Sequence, residues 1–361
     1  MTRTPDPGEI AYKPIDPTSS RRIGLIGCGW ISEVHLEAYR NAGYDVAALC
    51  DRNPNKARAR KEQFFPDATM YTDHADLIAR DDIDVVDIVT HVDYRPELVE
   101  ETLRAGKHVL SQKPLVEDLD EGERLCDLAD ELGLVLAVNH NGRWAPHFAY
   151  LLSAVSEGLL GTVSAADFAA YWPHDAIVKD MKFATMEDLI LYDFGIHWFD
   201  LLATLFAEQG RVPVHVFAGV GSQPQQLISV PTQAQVVVDF EDAQASILFR
   251  GSSPIAELGS YRVTGSRAVL THAGGYLGGD EVTVTSTHES QTVSLVGNWF
   301  PDGMHGAMSE VLCALDADRP PRNSARSALA GLALCFAAIE SARIGTPVRP
   351  GTVRRLSGML D

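Results

Sequence analysis

A glycine-rich turn near the amino terminus constrains the fold of this chain more than any other feature. The segment GCGWIS spans Gly27 to Ser32, directly after the apolar run RRIGLI and directly before an amphipathic segment. Gly27 permits a tight turn, and Gly29 allows the backbone to approach a pyrophosphate at a helix amino terminus. Ser32 stands where a third glycine or an alanine is usual. The pattern predicts a strand, a dinucleotide-binding turn that includes Trp30 and Ile31, and a helix.

The first third of the chain continues this alternation of strand and helix. The predicted strands are RRIGLIG, DVAALC, IDVVDIVT, KHVLSQ and LVLAVN. Because helical segments separate these apolar runs, the sequence predicts an α/β Rossmann domain with a doubly wound parallel sheet over residues 21–142. Asp51 ends the second strand, where a carboxylate binds the adenosine ribose hydroxyls. Arg52 beside it is predicted to bind the cofactor, either by pairing with a 2′-phosphate or by lying over the adenine. We predict NAD as the cofactor on the strength of the carboxylate, with NADP as the alternative.

Polar residues also follow the later predicted strands of this domain. Ligands of doubly wound sheets lie beyond the carboxyl ends of the strands. Thr90 ends IDVVDIVT, and Gln112 and Lys113 follow KHVL in the segment SQKP, so we predict all three as cofactor-binding residues. Asn141 and Arg143 follow the last strand in VNHNGRWAP. A surface lysine and an ordinary strand-to-helix turn are the structural alternatives for these two segments.

The segment DFGIHWFD, residues 193–200, is an apolar helix pattern with polar residues along one stripe. Asp193, His197 and Asp200 recur at helical spacing, so their side chains are expected on one face. An i, i+4 pair on a core helix explains Asp193 and His197 equally well when the segment is taken alone. Together with Lys113 and the nucleotide-binding pattern, they are predicted to be catalytic. Asp200 lies deeper along the stripe and is predicted to be structural.

The pattern changes after residue 142 and predicts a second domain over residues 143–361. One helix is followed by strand-like runs with alternating hydrophobicity, which favours an α+β domain with a large, mostly antiparallel open sheet. The broad face of such a sheet is available to a second subunit, and a monomer is the alternative. Asp302 and His305 open the first of two closing helices. His305 either lines a substrate pocket or lies on the surface beside a capping aspartate.

The composition disfavours several other classes of protein. The formal net charge of −19 argues against nucleic acid or an anionic membrane as a partner. The five cysteines are scattered without a CxxC pair, which is typical of a reduced compartment, and no run of about 18 apolar residues predicts a membrane span. We therefore expect a cytoplasmic protein, and no ligand spacing predicts a metal site. Residues 1–20 predict a poorly ordered arm, with packing on a neighbouring subunit as the alternative.

Four segments in this order resemble the Gfo/Idh/MocA family of oxidoreductases, which includes glucose–fructose oxidoreductase and inositol dehydrogenases. They are GCGWIS, AGKHVLSQKP, VNHNGRWAP and DFGIHWFD. The resemblance implies that Lys113 matches the lysine of the Glu-Lys-Pro motif, between nicotinamide and substrate, and that Asp193 and His197 match the Asp-x-x-x-His pair. Two positions depart from the family pattern. Gln112 replaces the usual glutamate, and Arg95 stands where histidine is frequent.

The sequence therefore predicts an NAD(P)-dependent oxidoreductase that transfers hydride between nicotinamide and a hydroxyl or carbonyl of a sugar, sugar acid or cyclitol. His197 would exchange the hydroxyl proton, and Lys113 would stabilise negative charge on the reacting oxygen. A small polyhydroxylated substrate suits several spaced polar groups. The predicted substrate-binding residues are Lys113, Asn141, Arg143, Asp193, His197 and His305. The resemblance also implies a homodimer or homotetramer. The alternatives are an NAD-retaining glycosidase or epimerase that works by transient oxidation, and a non-catalytic NAD and sugar sensor.

Overall fold

A computed structural model describes residues 5–275, 277–278 and 281–356, which form two compact units. The first unit contains Pro14–Trp144 and Phe300–Leu329. The second unit contains the remaining segments, Met1–Lys13, Ala145–Trp299 and Ala330–Asp361. The domain boundary predicted after residue 142 lies close to the division between Trp144 and Ala145. The inclusion of Phe300–Leu329 in the first unit is not among the sequence predictions.

The secondary-structure elements follow the predicted order. The strands are β1 (Arg22–Ile26), β2 (Asp45–Cys50), β3 (Thr69–Tyr71), β4 (Val85–Ile88), β5 (His108–Gln112), β6 (Leu136–Asn139), β7 (Val163–Tyr171), β8 (His215–Gly221), β9 (Gln233–Asp239), β10 (Gln244–Arg250), β11 (Leu258–Gly265), β12 (Ala268–Gly274), β13 (Glu281–Ser286) and β14 (Ser290–Ser294). The helices are α1 (Ser32–Asn41), α2 (Pro54–Phe64), α3 (His74–Ile78), α4 (Arg95–Arg104), α5 (Leu119–Leu132), α6 (Pro146–Ser156), α7 (His174–Val178), α8 (Ile196–Ala207), α9 (Asp302–Asp316) and α10 (Ala325–Ile344). Only short elements, β3, α3 and α7, lack a predicted counterpart among these, because so few residues carry little periodicity.

The first unit is built on a six-stranded parallel sheet with the order β3-β2-β1-β4-β5-β6. The central strands are buried on both faces, which explains why they appear in the sequence as continuous apolar runs. The strand order reverses between β1 and β4, and ligands of such sheets bind outside the carboxyl ends of the strands at that point. The predicted doubly wound sheet is confirmed.

The second unit contains an eight-stranded sheet with the order β14-β13-β12-β11-β7-β10-β9-β8. The pairing of β7 with β10 is parallel, whereas the other pairs are antiparallel. Burial alternates along the strands, as in β10, because one face packs on the core and the other is more exposed. The predicted open, mostly antiparallel sheet is also confirmed.

The amino-terminal arm, predicted to be poorly ordered, makes specific hydrogen bonds over its described residues. In the second unit, the hydroxyl of Tyr150 donates to the carbonyl oxygen of Pro7 at 2.8 Å. In the first unit, the carboxylate of Asp316 accepts from the backbone N–H groups of Thr18 at 2.8 Å and Ser19 at 3.0 Å. Each part of the arm is thus held by contacts within its own unit.

Helix α10 is long and apolar enough to cross a membrane by length and composition alone, although no span is predicted from the sequence. Its residues Cys335, Phe336 and Ile339 are fully buried in the protein. The Cys335 thiol donates to the carbonyl oxygen of Leu191 at 3.4 Å. These are the features of a core helix.

Two stacked imidazoles in the second unit predict that acid destabilises it. The rings of His147 and His272 are buried, and their centroids lie 4.4 Å apart at an interplanar angle of 15°. Burial, with a smaller contribution from His272, lowers the pKa of His147 well below its usual value. The unfolded chain binds a proton at this residue below about pH 6.5, whereas the folded chain does not. The contribution of His147 to the free energy of unfolding is therefore fully present above about pH 6.5 and decreases below that pH.

Urea unfolding at about pH 7.5 and about pH 5.5 measures this effect. For His147 alone we expect the free energy of unfolding to be about 1.4 kcal/mol lower at the acid pH than at the higher pH. The substitution His147→Phe keeps a buried ring without a titratable group and should remove that part of the acid dependence. His288→Phe, at an exposed position, is the control and should leave it unchanged. Equal acid dependence in His147→Phe and the wild type would contradict the prediction.

Candidate functional site

The turn after β1 has the backbone conformation that a dinucleotide-binding turn requires. Gly27 has a φ of +103°, and a Cβ atom there would lie 2.6 Å from the carbonyl oxygen of Val89. Glycine is therefore needed for both conformation and space. A Cβ atom at Gly29 would meet no heavy atom within 4 Å, so the space beside this backbone is open. Trp30 is 64% exposed and Ile31 is partly buried.

Asp51 connects the end of β2 to this turn. Its Oδ2 atom accepts a hydrogen bond from the backbone N–H of Cys28 at 2.8 Å, and its Oδ1 atom accepts one from the backbone N–H of Asn53 at 2.8 Å. Each carboxylate oxygen retains acceptor capacity for a hydroxyl group. The Arg52 guanidinium lies 5.0 Å from the ring centre of Tyr94, an exposed aromatic residue that is not among the predicted site residues.

The cysteine in the turn is not a nucleophile at neutral pH. Burial, followed by the negative charge of Asp51, raises the pKa of the Cys28 thiol to about 12. The same two causes raise the pKa of Cys50 to about 12. Because the thiolate is the reactive form, both side chains stay inert and protonated.

Arg95 connects the turns that follow β4 and β5. Its buried guanidinium donates to the carbonyl oxygen of Thr90 at 2.6 Å and to the carbonyl oxygen of Pro114. The Thr90 hydroxyl oxygen is buried and has no hydrogen-bond partner in the described part of the chain. A buried hydroxyl of this kind calls for a ligand or a water molecule, so Thr90 fits the predicted cofactor site.

Gln112 and Lys113 lie at the carboxyl end of β5. The Gln112 Oε1 atom accepts from the backbone N–H of Lys113 at 2.7 Å, and its Nε2 atom lies 3.0 Å from Nε2 of His35. The Lys113 side chain is partly exposed, and the Lys113–Pro114 peptide bond is cis. Four of the predicted cofactor residues thus follow the carboxyl ends of strands in one sheet: Gly29, Asp51, Thr90 and Lys113.

The predicted substrate residues of the first unit lie in two different environments. Asn141 and Arg143 are buried in a 3₁₀ turn after β6, and the Arg143 guanidinium donates to the carbonyl oxygen of Arg322. His305 packs beside Tyr44, with ring centroids 5.7 Å apart, and its Nε2 atom lies 3.8 Å from Asp16. Burial lowers the pKa of His305.

Tyr44 directly precedes the first residue of β2, whereas the predicted cofactor residues follow the ends of the strands. The structure therefore does not bring His305 beside those residues. The substrate-binding roles of Asn141, Arg143 and His305 stay predictions.

The segment DFGIHWFD is not one regular α-helix, which corrects the predicted stripe. Asp193 lies in a π-helical turn, Ile190–Phe194, and α8 begins only at Ile196. The backbone N–H of Gly195 donates to the carbonyl oxygen of Ile190 at 3.0 Å, five residues back. A Cβ atom at Gly195 would lie 2.7 Å from the carbonyl oxygen of Leu191, so this wide turn requires glycine. Such π-helical insertions are frequent at functional sites.

The second unit places aromatic rings and another histidine around Asp193 and His197. His197 is 8% exposed, and its ring meets Trp299 edge-on at a centroid distance of 5.3 Å. The Nε2 atom of His174 lies 3.9 Å from Oδ2 of Asp193, which is partly exposed. His174 is buried and packs on Phe194 at 4.6 Å. His174 is not among the predicted site residues, because it begins α7, a helix too short to be recognised from its pattern.

Asp200 is buried where α10 approaches α8 closely. Asp200 is 1% exposed, and a Cβ atom at Gly331 of α10 would lie 2.7 Å from its Cα atom. The close approach of α10 agrees with a structural role for Asp200. Within residues 5–275, 277–278 and 281–356, no group of three or more His, Cys, Asp or Glu side chains is placed to hold a metal ion.

The open space at Gly29 provides a test of the dinucleotide site. We expect Gly29→Ala to fold normally and to weaken NADH binding by about 10–100-fold, because its methyl group would occupy the space for the pyrophosphate. NADH titration and thermal melting measure the two effects. Gly219→Ala in β8 is the matched control, since a Cβ atom there also meets nothing within 4 Å. Unchanged NADH affinity in Gly29→Ala would exclude the turn from the site.

Two family models match this chain. Residues 21–140 match a model described as "Oxidoreductase family, NAD-binding Rossmann fold", and residues 148–271 match the "GFO/IDH/MocA C-terminal domain". The first match contains the glycine turn and Lys113, and the second contains Asp193 and His197.

Two curated relatives illustrate the activities known among similar proteins. A D-apiose dehydrogenase from Paraburkholderia graminis is 28% identical over 62% of this chain and 58% of its own length. An inositol 2-dehydrogenase/D-chiro-inositol 3-dehydrogenase from Lactiplantibacillus plantarum is 30% identical over 39% of this chain and 41% of its own length. The chain thus spans less than two thirds of the length of the curated relatives that it matches.

Solved structures share the fold over nearly the whole chain. An oxidoreductase from Agrobacterium radiobacter, in complex with NAD⁺, L-tartaric acid and magnesium, has a TM-score of 0.82, with 21% identity over 92% of this chain and 99% of its own. The WlbA dehydrogenase from Bordetella pertussis, in complex with NADH and UDP-GlcNAcA, has a TM-score of 0.76, with 22% identity over 93% of this chain and 99% of its own.

Proposed function

The chain belongs to the GFO/IDH/MocA family of oxidoreductases, and from this premise we propose that it is an NAD(P)-dependent dehydrogenase or reductase of CH–OH groups. The proposed substrate is a sugar, sugar acid or cyclitol. The observation that carries the proposal is the sheet edge of the first unit. There, the open backbone at Gly29, the carboxylate of Asp51 and the partly exposed Lys113 follow the strands of a dinucleotide-binding fold.

His197 and Lys113 have complementary roles in the proposed reaction. When bound, the nicotinamide supplies the acceptor for the hydride, with its two electrons, that leaves the carbinol carbon. His197 takes the hydroxyl proton, since imidazole exchanges protons near neutrality. The Lys113 ammonium group stabilises negative charge that develops on the oxygen before the carbonyl forms. Asp193 is proposed to orient His197 or to bind a neighbouring hydroxyl, and its partly exposed carboxylate lies 3.9 Å from Nε2 of His174.

NAD is the proposed cofactor, and its choice over NADP rests on Asp51. The carboxylate is already fixed by two backbone N–H groups and would repel a 2′-phosphate. Arg52 lies over Tyr94, so its guanidinium has an aromatic partner that is independent of any phosphate. The names of the apiose and inositol dehydrogenases support a polyhydroxylated substrate.

A panel of sugars, sugar acids and cyclitols tests the proposal, with reduction of NAD and NADP followed by absorbance. We expect catalytic reduction with at least one polyol and a preference of about tenfold or more for NAD, the effect of one charge contact. A protein that binds NADH but reduces neither cofactor with any member of the panel would contradict the proposed activity. A preference for NADP would overturn the choice of cofactor alone.

The outer face of the eight-stranded sheet is the proposed subunit interface. Phe217 on β8 is an exposed large hydrophobic residue, and Leu248 on β10 is partly exposed beside Ala169 of β7. Exposed apolar groups on one continuous sheet favour association with a second copy. This face therefore supports a homodimer or homotetramer.

Light scattering after gel filtration measures the oligomeric state. We expect the wild type to be a dimer or tetramer of the 39.3 kDa chain and Leu248→Arg to shift it towards the monomer. A buried unpaired charge at an interface costs several kcal/mol, enough to dissociate a moderate dimer. Ile255→Arg, at an exposed loop position, should leave the state unchanged. A monomeric wild type would contradict the interface.

A further inference from the structure

A connected group of buried polar side chains lies in the first unit between α1 and the sheet. Asp87 belongs to β4, His35 and Tyr39 belong to α1, and Gln112 and Asn139 are the last residues of β5 and β6. Gln112 is 7% exposed and the other four are fully buried. Such networks constrain the positions of their members strongly, because every lost hydrogen bond leaves a buried polar group unsatisfied.

The hydrogen bonds determine which nitrogen of His35 carries the proton. The Gln112 Oε1 atom accepts from the backbone N–H of Lys113, so the amide nitrogen of Gln112 is the atom 3.0 Å from His35 Nε2. The Asn139 amide nitrogen also lies 3.0 Å from this Nε2 atom. Since an amide nitrogen only donates, His35 Nε2 accepts and carries no proton.

The proton of His35 is therefore on Nδ1, directed at Asp87. The Nδ1 atom donates to Oδ2 of Asp87 at 2.7 Å, and the Tyr39 hydroxyl donates to the same oxygen at 2.7 Å. His35 is thus a neutral imidazole that links a carboxylate on one side to an amide on the other. This assignment requires an amide at position 112, because a carboxylate has no hydrogen to donate.

We propose that His35 is a positioning residue that holds the Gln112 amide and, through it, the Lys113 backbone at the cofactor edge. The inference rests on the proposed role of Lys113. One hydrogen bond leads from His35 to Gln112, and the next leads from Gln112 to the N–H of Lys113. The position of Lys113 is therefore coupled to α1. Because Nε2 of the neutral His35 accepts a hydrogen bond, position 112 must supply a donor, which the glutamine amide does and a glutamate carboxylate does not.

The substitution Gln112→Glu converts this coupling into a pH-dependent one. The titratable groups that face His35 are Asp87 from β4 and Tyr39 from its own helix, while β5 and β6 present neutral amides. A glutamate at position 112 bonds to His35 only when a proton lies between the two groups, on Nε2 or on the carboxyl group. With the proton on Nε2, the imidazolium would lie between two carboxylates at low pH. At high pH the loss of this proton would leave the carboxylate at position 112 facing the lone pair of His35 Nε2.

NADH titration between about pH 5.5 and pH 8.5 tests the inference, with the affinity of each variant expressed relative to the wild type at the same pH. For Gln112→Glu we expect the relative affinity to decrease by about tenfold across this range, the effect of one charge-assisted hydrogen bond. The Gln112→Glu, His35→Gln double variant should lose this pH dependence. A relative affinity of Gln112→Glu that is constant with pH would overturn the inference.

Two replacements of His35 separate its two hydrogen bonds. His35→Gln places an amide oxygen near the position of Nε2 and should bind NADH within about threefold of the wild type. His35→Asn reaches only towards Asp87 and should bind roughly threefold to tenfold more weakly. Equal affinities of the two variants would contradict a positioning role. If neither variant folds, the pH dependence of Gln112→Glu decides.

The outcome is distinguishable from a failure of the proposed reaction. NADH binding requires no substrate, so a protein without dehydrogenase turnover that shows the expected pH dependence would lose only its proposed activity. A wild type that does not bind NADH would overturn both the cofactor site and this inference.

Discussion

Replacement of His197 with Asn is expected to reduce turnover by ~10²–10⁴ while NADH affinity stays within about twofold of the wild type. Asparagine fills much of the imidazole volume beside Trp299 but does not take a proton from a hydroxyl group. His197 belongs to the second unit, whereas the glycine turn and Asp51 belong to the first, so loss of the imidazole leaves the dinucleotide contacts in place. Steady-state kinetics and NADH titration measure the two quantities.

The pH profile distinguishes a proton carrier from a structural histidine. If His197 is the base, the decline of wild-type turnover at acid pH should be absent from the residual activity of His197→Asn. His288→Asn, at an exposed position in the same unit, is the control and should match the wild type in rate and profile. Wild-type turnover in His197→Asn would exclude the assigned role.

Replacement of Lys113 with Met should lower kcat by about 10²–10³-fold, the usual cost of removing one electrostatic contact to a developing oxyanion. Methionine keeps a chain of similar length without the charge, and the backbone N–H that bonds to Gln112 is unaffected. The melting temperature should therefore change little. Steady-state kinetics and thermal unfolding measure these effects on the same sample.

The control for Lys113 is Lys179→Met, which removes an exposed positive charge elsewhere. A comparable loss of activity in both variants would indicate a general effect of net charge, which is already −19. Turnover of Lys113→Met within about threefold of the wild type would contradict the role of the ammonium group, whatever its effect on KM.

The sequence predicted the parts of the fold that depend on local pattern. Strands buried on both faces require continuous apolar runs, so β1 and β4 were recognisable, and the chemistry of the turn between β1 and α1 follows from Gly27. Apolar and polar residues alternate along the strands of the second sheet, and this pattern indicated a sheet with one face on the core and one face more exposed. Asp51 is recognisable because the end of the second strand is where such a fold binds the adenosine ribose.

Features that depend on contacts distant in sequence were not predictable. Phe300–Leu329 joins the first unit because α9 packs Met304, Met308 and Leu312 into its core, and no local pattern reveals these distant contacts. His35 has the appearance of an ordinary helix residue until Asp87 and Gln112 are placed beside it. The π-helical turn at Asp193 was missed because one inserted residue hardly changes a hydrophobic period.

Transfer of deuterium from a substrate carbon to the nicotinamide is the most direct measure of the proposed hydride transfer. The experiment uses the best polyol of the panel, deuterated at the reacting carbon, with excess NAD, and analyses the released dinucleotide by mass spectrometry. We expect one deuterium in each NADH and many NADH molecules formed per protein chain. Unlabelled NADH, or label confined to a single bound cofactor that is returned to the product, would contradict a dehydrogenase.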